Sequence, residues 1–161
     1  MGKEPCQWKQ EHTEAIKRIK KKVKILPTLH IIDKDLPKII ESNASDTGWG
    51  GILKQVRKKE RKFEEESVKF ASGTWTKAEQ NYATIDKEIL IALRCIEKFQ
   101  IHLLNHDFVI RTNCSSLPFV LNNNIKNATS KGKFVRWQEL FSCYNYTIEN
   151  ISENKIAVQI S

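Results

Sequence analysis

The chain has 161 residues, 40% hydrophobic and 29% charged, with a formal net charge of +8 and a pI near 9.3. Length and composition fit one soluble globular domain plus a short extension. No apolar run approaches the ~20 residues that cross a bilayer, so a membrane role is excluded.

The basic excess fits either solubility charge or a polyanionic partner. The four cysteines, Cys6, Cys95, Cys114 and Cys143, form no CxxC or other zinc spacing. They read as reduced thiols of a cytoplasmic or nuclear protein. The opening MGKEPCQWKQ lacks the apolar core of a signal peptide. The Asn-x-Ser/Thr triplets at Asn43, Asn113, Asn127, Asn145 and Asn150 therefore carry no expectation of glycosylation.

From about Gln10 to Leu26, apolar residues recur at helical spacing (Ile16, Ile19, Val23, Leu26), and Pro27 ends the pattern. The other faces carry Lys17, Arg18, Lys20, Lys21, Lys22 and Lys24. Such a face is either solvated or a phosphate-contacting stripe. Lys38 to Ala44 reads as a strand, Gly48, Gly50 and Gly51 punctuate a turn, and Trp49 to Gln55 reads as a returning strand. RKKERKFEEE reads as a solvated hairpin tip of mixed sign, and SVKFASG as a third strand.

TWTKAEQNYATIDKEILIALRCIEKFQIHLL is helical for most of its length. Thr76 and Glu79 form a capping box, with a second start signal at Thr84. Ile85, Ile89, Ala92, Leu93, Ile96, Phe99 and Leu103 make its buried face, and Glu88 lies beside that stripe. HDFVIRTN reads as a fourth strand ending in Asn113, SSLPFVLNN as a short helix and NIKNATSKGK as a basic loop. FVRWQELFSCY reads as a helix with Phe134, Trp137, Leu140 and Phe141 on one side, NYTIENI as a fifth strand and SENKIAVQIS as a short helix or tail. The expected fold is an α/β domain: a mixed five-stranded sheet, its first three strands antiparallel, with helices on its faces.

The polar residues at strand ends and on the main helix are Asn43, Glu88 and Asn113, and ligands of mixed sheets gather at such positions. Aspartates in place of the two asparagines would make the carboxylate set that two-metal phosphoryl chemistry needs. At this point the sequence resembles a known family. ESNASDTGWGGILKQ, FASGTWTKAEQNYATIDKEILIAL, FVIRTN and FVRWQELFSCYNYTIENI are similar to the ribonuclease H domain of reverse transcriptases, above all those of plant pararetroviruses, the caulimovirus family, and of gypsy-type retroelements. PCQWKQEHTEAIKRIKKKVKILPTLHI resembles the end of the connection segment that precedes the domain. The implied division is residues 1–35 as a connection-like basic helix and linker, and residues 36–161 as the ribonuclease H-like domain.

The resemblance implies cleavage of the RNA strand of an RNA–DNA hybrid by four carboxylates holding two Mg2+ ions. Residue by residue, the chain keeps Glu88, but Asn43, Asn113 and Val158 stand where the family has aspartates. The resemblance therefore implies a pseudoenzyme, with no metal or other cofactor expected. Asp46, three positions beyond Asn43, is expected to face away. The two asparagines would suit an inactivating design. Val158 and a shortened tail suit a natural decayed or host-adopted copy, such as an endogenous viral element of a plant genome.

Three functions stay open. The chain binds RNA–DNA hybrid or other nucleic acid without cutting it, through Lys17, Lys20, Lys21, Lys24, Lys131, Lys133, Arg136 and Trp137. Alternatively, it is a protein-interaction module or homodimer that uses the surface normally packed on the polymerase. The third reading is a weak metal-dependent nuclease built on Glu88. Trp137 also fits the core, as do Trp49 and Trp75. His102 and His106 fit a solvated helix end better than a metal pair, and Cys114 has no base beside it.

Overall fold

The computed structural model describes residues 8–24, 29–115, 117–118 and 131–151, without the side chains of Val23, Lys131, Lys133 and Phe134. The expected basic loop, most of SSLPFVLNN and the C-terminal segment with Val158 lie outside the described residues. So do Leu26 and Pro27.

Helix α1 spans Gln10–Val23. Glu11 in its first turn and Lys20, Lys21 and Lys22 in its last complement the helix dipole. At its start, the Trp8 indole N–H donates to Thr13 Oγ1 at 2.8 Å. The segment that follows is pinned to the sheet. His30 N–H donates to Ser67 O, Asp33 N–H to Gln55 Oε1, and Gln55 Nε2 to Ile31 O.

Strands β1 (Lys38–Ala44), β2 (Gly48–Lys59) and β3 (Lys62–Thr74) form an antiparallel meander. After the single turn α2 (Lys77–Gln80), helix α3 (Thr84–Leu103) leads to β4 (Phe108–Thr112). Helix α4 (Lys131–Ser142) precedes β5 (Tyr146–Asn150). The sheet order is β3-β2-β1-β4-β5, with β4 parallel to both β1 and β5. This is the expected mixed sheet flanked by helices.

Two expected boundaries move. The hairpin tip shrinks to Glu60 and Arg61, because the flanking charges pair across the strands, Lys59 with Glu64 and Arg57 with Glu66. Glu60 takes the left-handed turn conformation (φ 51°). The Thr76–Glu79 capping box forms as expected, but it caps only α2, and the long helix restarts at Thr84.

The strands alternate between two unlike faces. Ile40, Leu53, Phe108 and Ile110 join Ile89, Ala92, Ile96 and Phe99 of α3, with Trp137 and Phe141 of α4, in the apolar core. The helix backs closely onto the sheet at Gly51, where an added Cβ would lie 2.2 Å from Cys95 Sγ. No helix among the described residues is long and apolar enough to cross a membrane.

Candidate functional site

Strand register puts the first two site residues side by side. β1 and β4 run parallel with Lys38 opposite Phe108 and Glu41 opposite Arg111. Continuing that register carries Asn43 to the level of Asn113, the residue just beyond β4. Both are half-buried. Asn43 Oδ1 accepts a hydrogen bond from the next backbone N–H, that of Ala44, at 3.0 Å.

Glu88 arrives from the helical side. It shares a helix face with Cys95, two turns nearer the N-terminus, and Cys95 lies over Gly51, the partner of Ser42. The start of α3 therefore stands over the same end of the sheet as Asn43. Glu88 is 6% exposed, and its Oε2 has no hydrogen-bond partner. Burial pushes its carboxyl up to about 7. By alternation Asn43 belongs to the opposite sheet face, with Glu41. A ligand touching both residues must therefore sit at the strand ends, where the sheet stops separating its faces.

The turn after Asn43 is braced. Ser45 N–H donates to Gly48 O, Trp75 N–H to Thr47 O, and the Trp75 indole to Ser45 O at 2.7 Å. The Arg94 guanidinium lies over the Trp49 and Trp75 rings and pairs with Glu79 at 2.5 Å. These contacts tie the turn to α2 and α3. Asp46 is exposed in that turn.

A charged network that sequence reasoning missed lies directly below the amides. Glu41, fully buried, accepts from Lys54 and Arg111, each at 2.7 Å. Both cations also reach Glu65, and Arg111 Nε pairs with Glu149 at 3.0 Å. Burial opposes charge on Arg111, but its hydrogen bonds to Glu41, Glu65 and Glu149 outweigh burial and raise its pKa. Glu65 likewise feels burial first, yet Lys54 and Arg111 hold its carboxyl low. The network bolts β1 to β4 two residues before Asn43 and Asn113. One signal was available: ESN and RTN each place a charge two residues ahead of the amide, on the same strand face.

As donors for two Mg2+ ions, these residues do not fit. They offer one carboxylate and two neutral amides, and no grouping of three or more His, Cys, Asp or Glu residues that could hold a metal occurs among the described residues. Two divalent ions ~4 Å apart repel by about 16 kcal/mol at an effective dielectric of 20, which a single negative charge does not offset.

Of the remaining residues, Lys17, Lys20, Lys21 and Lys24 are exposed on α1, and Arg136 is exposed on α4. Trp137 is in the core at 9% exposure, so its ring is not a groove surface. Its apolar helical spacing decided its place. Trp49 and Trp75 are core residues too. The side chains of Lys131 and Lys133 lie outside the described set, as does Val158.

Comparison with known proteins agrees with this fold. Residues 8–110 match the model of the RNase H-like domain found in reverse transcriptase. The enzymatic polyprotein of Cauliflower mosaic virus (strain D/H) is 36% identical over 147 residues, covering 91% of this chain and 22% of the polyprotein. The chain thus spans about a fifth of such relatives. Among solved structures, the foamy viral protease–reverse transcriptase in complex with dsDNA is 14% identical with a TM-score of 0.65, over 91% of this chain and 30% of that one. LC11-RNase H1 in complex with an RNA/DNA hybrid is 18% identical with a TM-score of 0.51, over 74% of this chain and 88% of that one. The chain belongs to the family of RNase H-like domains found in reverse transcriptase.

Proposed function

We propose that this domain holds an RNA–DNA hybrid without cutting it. The observation that carries the reading is the pair of neutral amides, Asn43 and Asn113, at the ends of adjacent parallel strands, with Glu88 as the nearby acid of α3. The site keeps the fold's shape while lacking the negative charge that two metal ions need. Fewer acids also raise the local potential, which favours a polyanion. The exposed cations of α1 and Arg136 supply phosphate contacts. The hybrid bound by LC11-RNase H1, a protein of the same fold, supports the choice of ligand. On this reading, residues 1–35 act as a basic extension to the domain, and the chain descends from a pararetroviral reverse transcriptase whose chemistry has lapsed.

Anisotropy with a blunt-ended fluorescent hybrid, at two salt concentrations and against duplex DNA, tests binding. Incubation with Mg2+ or Mn2+ tests cleavage. The expected result is binding that prefers the hybrid, falls steeply with salt and leaves the RNA intact. No binding at low salt, or Mn2+-dependent cleavage abolished by Glu88→Gln, would overturn the reading.

A second reading rests on α1, where Ile16 and Ile19 are 38% and 59% exposed. That apolar stripe suits a protein partner or self-association. A dimer by sedimentation that dissociates on Ile19→Asp would favour it.

A further inference from the structure

The stretch RKKERKFEEE mixes both signs in sequence, but the fold sorts them. Glu64 pairs with Lys59, Glu65 with Lys54 and Arg111, and Glu66 with Arg57 and Lys59. A hydrogen bond from Gln55 and the Arg57 charge hold Glu66 down to about 2. Glu65 and Glu66 are thereby engaged towards the base of the β2–β3 arm, and Glu64, half exposed near its tip, is paired with Lys59. Near the arm's end Lys58, Arg61 and Lys62 are all exposed and without a carboxylate partner among the described residues, against Glu60 and the Lys59-paired Glu64. Phe63 stands among them at 74% exposure, directly across the ladder from Lys58.

A lone exposed phenylalanine is ordinary. An exposed ring beside a two-residue turn, with Lys58 across the ladder on its own face and Arg61 and Lys62 close by at the tip, is the pairing that captures an unpaired base and its phosphates. The arm extends past the rest of the sheet, since β1 pairs with β2 only as far as Gln55. Its tip lies nine residues along β2 from Gly50, the partner of Asn43, which is about 30 Å at strand rise. It is therefore a surface distinct from the strand-end site. We infer that the tip of the β2–β3 arm binds single-stranded nucleic acid, with Phe63 stacking on a base and Lys58, Arg61 and Lys62 on the backbone. A duplex suits it less, because paired bases hide their faces from a protruding ring.

The test measures anisotropy of the full chain with a roughly 12-nucleotide oligo(dT) and, separately, with the blunt hybrid. The exposed side chains make the substitutions mild for folding. Phe63→Ala should weaken oligo(dT) binding by about fivefold or more. It should leave hybrid affinity unchanged, while Phe63→Trp retains oligo(dT) binding. The Arg61→Ala/Lys62→Ala pair should reduce the slope of log affinity against log salt by about 1.4 on oligo(dT). Absent oligo(dT) binding, equal affinity in wild type and Phe63→Ala, or equal losses on both ligands would overturn the assignment. Failure of the hybrid reading looks different: oligo(dT) binding persists while the wild-type chain ignores the hybrid.

Discussion

The two faces of the central sheet are held by opposite means. Under α3, contact is a matter of shape: Ile40 and Leu53 meet the helix, and Cys95 fills the space that Gly51 leaves. On the other face, Glu41, Lys54, Glu65, Arg111 and Glu149 interlock as charge. Both arrangements pass through β1 within three residues of Asn43. The amide position is thus supported by packing from one side and by ion pairs from the other. The named supports involve neither the Asn43 nor the Asn113 side chain, so the scaffold does not rest on a charge at either position.

Each support can be broken separately. Arg111→Ala should be the most damaging change, costing about 4 kcal/mol in urea melts, because it strips one of two cations from the fully buried Glu41 and also frees the more exposed Glu65 and Glu149. A loss below 1 kcal/mol would show that the charged face is dispensable.

Glu88 comes next, and its effect depends on pH. Its folded pKa, about 7, lies above the value of a free glutamate, so the folded state holds the proton more tightly. That stabilisation is fully present below about pH 4.5 and is lost as pH rises through about 7. Glu88→Gln should therefore match wild type near pH 4 and exceed it by roughly 3 kcal/mol at pH 8. Parallel stability curves for the two proteins from pH 4 to 8 would contradict the burial argument.

The packed face yields the smallest effect. Gly51→Ala should cost about 2 kcal/mol by driving a methyl group into Cys95 Sγ. Adding Cys95→Ala should recover most of that loss in thermal melts, so the two changes should be strongly non-additive.

Much of the scaffold was legible along the chain. Ile39-Ile40 running into a glycine turn marked β1 at Lys38–Ala44, where it is found, and helical spacing picked out the buried face of α3. The Thr76 capping box was read correctly as local chemistry, and the second start signal at Thr84 is where the long helix begins. The arm was misjudged because a ten-residue stretch with nine charges read as a solvated hairpin tip. Only cross-strand partners such as Lys59 and Glu64 turn them into ladder. Trp137 was ambiguous because a helical stripe looks the same whether it faces a core or a groove.

Residue type and periodicity by themselves determined the elements, the capping chemistry, the neutral amides at Asn43 and Asn113, and the family resemblance. These properties depend on neighbours a few bonds or one helical turn away. Tertiary structure alone decided that Glu88 is buried with an unpartnered oxygen, that Glu41 meets Arg111 across seventy positions, and that Glu64, Glu65 and Glu66 of the arm find cationic partners across the strands. Burial and Coulomb energy depend on distance through space, and sequence separation does not encode that distance.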